Sequence, residues 1–341
     1  MTIPEIAALF ILPGPVVYHE EITTGLINTT YAVSCKSGSS VKRYILQSIN
    51  SKVFPEPENV MENIFHVTGH IGAMDPGTEQ LRLIPIHKGR SWLSLPDQTI
   101  WRCYPYHENT ESFNKIDSPD LAFRAAAAFG RFQAKLSDLD PSTLFETIKD
   151  FHNTPVYFSK LLAAAEKNAS GRLDECREDY GFILSQKDLT SRLVDAGLPV
   201  RVTHNDTKIS NILFPTDKAN PPIVIDLDTV MPGLALFDYG DLVRSAASTA
   251  DENETDLGKI RIDPEMAKAL EEGYLSTASE FLTPEEKALL PDSVKVITLE
   301  LAIRFFTDHL NGDAYFRIEY PGHNLARARN QLALLKSMRE S

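Results

Sequence analysis

"RVTHNDTKISNILF" spans Arg201 to Phe214 and sets a His, two Asn, an Asp and a Lys between two apolar stretches. Asp206 and Asn211 are five residues apart, with Lys208 between them. Asp and Asn that follow a strand often only build a turn. Phosphoryl transfer asks for more: a base for the acceptor hydroxyl, oxygen ligands for Mg²⁺, and positive charge beside the moving phosphoryl group. Asp206 can be the base, the Asn211 amide oxygen suits a hard cation, and Lys208 is a point charge. Further on, Ile223-Val224-Ile225 runs into Asp226-Leu227-Asp228, an apolar strand whose carboxylates would stand where a metal can sit.

The 341 residues suggest about two domains or lobes. A hydrophobic fraction of 43% and a charged fraction of 24% are those of an ordinary globular protein. No run approaches the ~18 apolar residues of a membrane span. The apolar segment Ile6 to Val17 is broken by Pro13, Gly14 and Pro15 and has no basic residue before it, so it does not read as a secretory signal. Cys35, Cys103 and Cys176 are far apart and odd in number, which argues against a disulfide framework or a zinc site. Buried reduced thiols in a cytoplasmic protein are expected. The net charge of −13 repels nucleic acid, and no basic run offsets it. A cationic substrate or plain solubility would fit that balance equally.

Along the chain, "NTTYAVSC" (Asn28 to Cys35) and "RYILQSI" (Arg43 to Ile49) read as a hairpin around "KSGSS". Helical spacing of Val60, Ile64, Val67 and Ile71 follows, then two further strand-like runs, "LRLIPI" and "TIWRCYPY". Ser118-Pro119 opens a helix expected to reach about Leu139, and more helices follow to about Ala196. "PVRVTH" and "PIVIDL" read as short strands flanking the polar cluster, and late helices fill the remainder. The expectation is an α+β, bilobal chain. Residues 1–104 form a small β-rich N-lobe and residues 105–341 a larger, mainly helical C-lobe.

The protein-kinase signature H-R-D-L-x-x-x-N, followed by D-F-G, has the spacing of His204, Asp206 and Asn211 followed by Asp226-Leu227-Asp228, with Asn205 and Thr207 in place of Arg and Leu. Together with "GLINTTY", "VFPEPENVMENI", "LFDYGDLVRSAAST" and "YPGHNLARAR", it resembles the aminoglycoside-phosphotransferase/choline-kinase group, which has a protein-kinase-like fold. Within that group it resembles the N-acetylhexosamine 1-kinases. The resemblance implies ATP and Mg²⁺ and a small-molecule sugar acceptor; the oligomeric state stays open, a monomer among the options. It makes Asp206 the base, with Lys208 beside it, and Asn211 and Asp226 the Mg²⁺ ligands. The turn Gly25 to Thr30, including Asn28 and Thr29, would cover the phosphates, with Gln47 facing them. Tyr104 to Tyr106 would be the hinge that holds adenine. One departure stands out: Gln47 occupies the strand where protein kinases carry a Lys that pairs with a helix Glu.

Late in the chain, Glu300, Arg304 and Asp308 recur every four residues on an otherwise apolar helix. Such a stripe is either an internal ion-pair row or a ligand site. The resemblance favours Arg304 for sugar hydroxyls, with Tyr315 as a further wall. Asp228 is either a second metal ligand or an acceptor for sugar hydroxyls; the second is preferred here, with Asp226 and Asp228 taken to point to opposite sides of the strand. Asp238 and Asp241 are read as loop supports. Two other functions stay open: a kinase for a cationic amine, which should show acids or an aromatic cage, and a nucleotide-binding scaffold, supported by the missing Lys alone.

Overall fold

In this computed structural model the described residues are 1–23, 27–76 and 80–339. In chain order they form α1 (Ile3–Ala7), β1 (Val16–Ile22), β2 (Thr29–Ser37), β3 (Ser40–Ser48), α2 (Pro57–Met74), β4 (Leu93–Ser94), β5 (Ile100–Pro105), β6 (Thr110–Glu111), α3 (Pro119–Lys135), α4 (Thr154–Lys167), α5 (Arg177–Ser185), α6 (Lys187–Thr190), β7 (Arg201–Thr203), β8 (Ile212–Pro215), β9 (Ile223–Val224), β10 (Met231–Gly233), α7 (Ala235–Ala246), α8 (Pro264–Ala278), α9 (Pro284–Ala288), α10 (Leu290–Leu310) and α11 (His323–Ser337). By contacts the chain divides into two units, the first made of residues 1–112, 138–149 and 212–232, the second of 113–137, 150–211 and 233–341.

The first unit is built on an antiparallel sheet of order β1-β2-β3-β5-β4. β2 and β3 pair from Thr29 opposite Ser48 to Ser37 opposite Ser40, and Gly38 turns the hairpin at φ 61°, where a Cβ would be disfavoured. Val33, Leu46 and Cys103 bury one face against Ile6 and Phe10 of the N-terminal segment. Helix α2 starts on Pro57 and buries Val60, Ile64, Val67 and Ile71, the four residues its spacing singled out. It also buries Asn63, which stitches later chain segments into the unit. The amide donates to the Phe145 carbonyl at 2.8 Å and the Val230 carbonyl at 2.9 Å, and accepts from the Phe145 N–H at 2.8 Å.

The second unit is helical and centres on α10. Leu299, Ile303, Phe306 and Leu310 pack with Phe158 and Leu161 of α4 and Leu325 and Leu332 of α11. Two close approaches depend on glycine. A Cβ on Gly273 of α8 would lie 2.2 Å from the Phe123 carbonyl oxygen of α3, and one on Gly240 of α7 would lie 2.6 Å from the Ser293 carbonyl oxygen of α10. The second contact fixes the helix that carries Asp238 and Asp241.

The sequence reading is corrected at several elements. "LRLIPI" is not a strand: Pro85 has no N–H to give a ladder, and the segment holds by scattered bonds such as Ile84 N–H to the Cys103 carbonyl, 2.8 Å. β1 was not anticipated, because this edge strand exposes most of its residues and shows no apolar alternation. β8 hides inside the opening motif as "ILFP" and pairs with β9 from Ile212 opposite Val224. Helix α3 ends at Lys135, short of Leu139. All three cysteines are buried and free, as expected. Among the described residues no helix is long and apolar enough to cross a membrane.

Candidate active site

The opening motif leaves β7 and turns at Asn205, whose φ of 64° is left-handed. Asparagine tolerates that region better than most residues because its short amide bonds locally. Here its Oδ1 accepts from Thr203 Oγ1 at 3.0 Å and its Nδ2 donates to the Thr203 carbonyl at 3.3 Å. Buried Asp238 accepts the backbone N–H of His204 at 2.9 Å and of Asn205 at 2.7 Å, while Asp241 accepts that of Thr207 at 3.2 Å. Both carboxylates therefore support the loop. Burial pushes the Asp238 carboxyl up, against the pull of His204 and the donors it meets. Burial also opposes the charge of Asp241, but Arg244 at 2.7 Å more than offsets it and leaves the carboxyl below its usual range.

That scaffold presents Asp206 with its side chain 29% exposed. Oδ2 accepts from Lys208 Nζ at 2.7 Å and from Asn211 Nδ2 at 3.0 Å, and Asn211 Nδ2 also donates to the Asp206 carbonyl at 2.8 Å. The three polar residues singled out by spacing thus meet. With its nitrogen committed to Asp206, Asn211 keeps its carbonyl oxygen as the end suited to a hard cation.

In the first unit, β9 ends at Val224 and Asp226 lies beyond it at φ 61°, half-buried. Side chains two apart would share a face on a strand, and the strand has ended before both carboxylates, so alternation gives no reason to send Asp228 toward a sugar. Asp228 is buried instead. Its Oδ2 accepts from Asn28 Nδ2 at 2.6 Å, and its Oδ1 pairs with the guanidinium of Arg102. Among the described residues no three His, Cys, Asp or Glu side chains gather as a metal-binding group. Mg²⁺ needs less from a protein, since one or two side-chain oxygens commonly hold it with substrate phosphates and water. The Asp226 carboxylate, in the first unit, and the Asn211 amide oxygen, in the second, are each a donor of the kind such an ion takes.

Arg102 was missed by sequence reading. Its signal was a lone Arg inside the apolar run "TIWRCYPY". It sits opposite Gln47 in the β3–β5 register and donates Nε to Gln47 Oε1 at 3.0 Å. Gln47 in turn donates Nε2 to Thr30 Oγ1 at 3.0 Å. The side chain is 1% exposed, and although burial works against its charge, Asp228 holds it firmly protonated. A cation that position 47 of β3 lacks stands opposite it on β5.

The remaining nucleotide-side residues are placed as follows. Gly25 lies outside the described residues. Asn28 spends its amide within the fold, donating to Asp228 and accepting the Asn50 N–H at 3.0 Å. Thr29 is exposed at the start of β2, and Thr30 is buried beside Gln47. Tyr104 is buried with its hydroxyl pushed up by burial. The Tyr106 N–H is committed to the Arg43 carbonyl at 3.1 Å, which removes it from the donors an adenine could meet, and the Arg43 guanidinium lies 3.8 Å from the centre of its ring.

The stripe on α10 is not one row of like groups. Asp308 accepts the N–H groups of Ala314, Tyr315 and Phe316 at 2.9–3.0 Å and so shapes the loop after the helix. Glu300 is buried and binds His152 Nδ1 at 3.0 Å and Thr154 Oγ1 at 2.7 Å. Between them, Arg304 is ringed by Phe151, Tyr157 and Phe316 at 5.4, 5.1 and 5.7 Å, with Glu300 Oε1 at 4.0 Å. Tyr315 is 72% exposed and meets the edge of Phe316.

A family model described as the phosphotransferase enzyme family matches residues 19–284, and the chain belongs to that family. The fold is kinase-like, α+β, with a β-rich N-terminal and a helical C-terminal region. Solved structures it resembles include a microcompartment-associated aminopropanol kinase, 15% identical with TM-score 0.64, covering 99% of this chain and 95% of that one. A spectinomycin phosphotransferase in complex with ADP and spectinomycin is 12% identical with TM-score 0.62, covering 99% and 96%. An ethanolamine kinase from Plasmodium vivax is 14% identical with TM-score 0.53, covering 97% and 85%. At such identities the likeness is one of fold.

Proposed function

We propose that the protein transfers the terminal phosphoryl group of ATP to the anomeric hydroxyl of an N-acetylhexosamine such as GlcNAc or GalNAc, giving the sugar 1-phosphate. The observation that carries the reading is the Asp206 carboxylate, partly exposed and oriented by both Lys208 and Asn211 in a chain of the phosphotransferase family. Asp206 takes the hydroxyl proton as the acceptor oxygen attacks, and Lys208 steadies the carboxylate until then. Asn211 and Asp226 would hold Mg²⁺, which supplies positive charge against the phosphate oxygens. Arg102, neutralised by Asp228, holds Gln47 and through it Thr30 in place, and the positive charge of the missing Lys would come from Lys208 and Mg²⁺.

Arg304 supports this choice of acceptor class. In an amine kinase a ring of aromatic groups with a carboxylate behind it would receive the substrate's ammonium. Here the chain's own guanidinium fills that kind of setting, which favours a neutral acceptor with hydroxyls and an amide carbonyl. The named relatives act on an aminopropanol, on ethanolamine and on spectinomycin, so a hydroxylated amine is the second reading, and Arg304 weighs against it. Incubation with Mg-ATP and a panel of free sugars and amino alcohols, with the product located by phosphorus NMR, decides between them. A phosphate at C1 of an N-acetylhexosamine is the expected product. Turnover confined to the amino alcohols overturns the sugar assignment.

A further inference from the structure

His152 was not singled out by spacing, yet it sits at the centre of the second unit. It lies in "DFHN" at φ 58°, and Asp150, two residues earlier, has φ 59°. Two non-glycine residues held left-handed within three cost roughly 1–3 kcal/mol each, and such conformations persist where the surroundings over-determine them. Both ring nitrogens are engaged. Nδ1 lies 3.0 Å from Glu300 Oε1 and Nε2 lies 3.1 Å from the Asn205 carbonyl oxygen.

A carbonyl oxygen only accepts, so Nε2 must carry a hydrogen. Facing Glu300, Nδ1 needs a proton between the two groups as well. Neutral His152 beside ionised Glu300 would set a nitrogen lone pair against a carboxylate oxygen in a buried site. The other carboxylate oxygen already accepts from Thr154 Oγ1 at the first turn of α4. Asn205 is the left-handed residue directly before Asp206, so its carbonyl belongs to the peptide that carries the base.

We propose that His152 is a positioning residue which, as an imidazolium paired with Glu300, clamps the Asn205 carbonyl and so sets the direction in which Asp206 meets its acceptor. The groups facing the ring are Glu300 of α10, Asp241 of α7, the Asn205 carbonyl, and the rings of Phe151 and Phe237. The cation behind Glu300 is Arg304, 4.0 Å from the carboxylate oxygen that His152 uses. Burial opposes the imidazolium, while Glu300 and then Asp241 outweigh it, so His152 stays protonated above its ordinary pKa. A raised pKa means the clamp is complete at low pH and is lost as pH rises through the folded value. Arg304 also ties the clamp to the proposed acceptor side, since whatever draws its guanidinium away strengthens the hold of Glu300 on His152.

The inference rests on Asp206 being the base, and two measurements keep the readings separate. In ¹⁵N-histidine NMR of the full chain, His152, assigned by its loss in His152→Gln or by its shift in Glu300→Gln, should show both ring nitrogens protonated at pH 7. A ring with a bare Nδ1 at pH 7 in the wild-type protein overturns the clamp whatever the substrate proves to be. In turnover assays with the acceptor found in the panel, Glu300→Gln should move the alkaline limb of the kcat profile toward lower pH. His152→Gln, which keeps a donor for Asn205 but does not titrate, should remove that limb and lower kcat about tenfold with the KM for Mg-ATP unchanged. An alkaline limb unmoved in Glu300→Gln overturns the proposal, as does an equal loss in nucleotide affinity. If His152→Gln does not fold, the Glu300→Gln profile and spectrum carry the test. An active Asp206→Asn enzyme sinks the functional reading instead, and leaves the NMR result standing.

Discussion

The loop 204–211 and the turn 226–228 use the same device to opposite ends. Each follows a short strand, and each contains a left-handed residue within two positions of an aspartate. In the loop the left-handed residue is Asn205, whose peptide carries Asp206, and the aspartate it presents is partly open. In the turn Asp226 is itself left-handed, and Asp228, two residues on, is sunk in the fold on Arg102 and Asn28. Residue type does not tell these carboxylates apart. What separates them is what holds them: Asp206 meets the Lys208 ammonium and the Asn211 amide and stays 29% exposed, whereas Asp228 is fixed by a guanidinium that is 1% exposed. An aspartate available for chemistry keeps a reachable oxygen, and an aspartate that keeps a turn in shape does not.

The sharpest way to break the comparison is at Arg102. Arg102→Met leaves Asp228 buried without its counter-ion and should cost about 3–5 kcal/mol, read as a shift in urea midpoint at constant slope. Arg102→Met with Asp228→Leu should recover much of that loss, because a buried pair replaced on both sides is often nearly neutral. If the double variant is as unstable as the single one, the guanidinium matters for something other than Asp228. On the other side, Asp206→Asn should fold as the wild type and bind nucleotide, yet lose at least ~10² in turnover, about 2.7 kcal/mol of barrier. Calorimetric titration with ADP beside the activity assay distinguishes lost chemistry from lost binding.

Much of this contrast could be read from the chain, and its limits have physical causes. The spacing of His204, Asp206 and Asn211 survives folding because it lies within one short loop, where local geometry decides what meets. The β2–β3 hairpin and α2 were legible from turn residues and from period. Arg102 with Asp228, and His152 with Glu300, join residues more than a hundred positions apart, and no local pattern encodes such a pair. Their only trace is a charged or polar side chain in an apolar setting. The argument that sent Asp228 to a sugar failed for a different reason: side chains two apart share one face of a strand, and β9 has in any case ended before either carboxylate.

Arg304 and Arg43 extend the comparison to smaller effects. Arg304 stands among three rings beside a buried carboxylate, so Arg304→Ala should raise the KM for the sugar about tenfold, roughly 1.4 kcal/mol, with the KM for ATP little changed. Equal changes in both would take Arg304 out of the acceptor site. Arg43 pairs with Glu108 at the surface, with side chains 40% and 52% exposed. Water screens both charges and two mobile side chains must be ordered, so exposed pairs contribute little. Glu108→Gln should therefore shift stability by no more than about 1 kcal/mol, a few degrees at most in melting temperature. The same substitution strategy at Asp228 removes a buried partner from Arg102, so Asp228→Asn should cost several times as much. Equal losses in the two variants would mean that burial is not what distinguishes the two arginines.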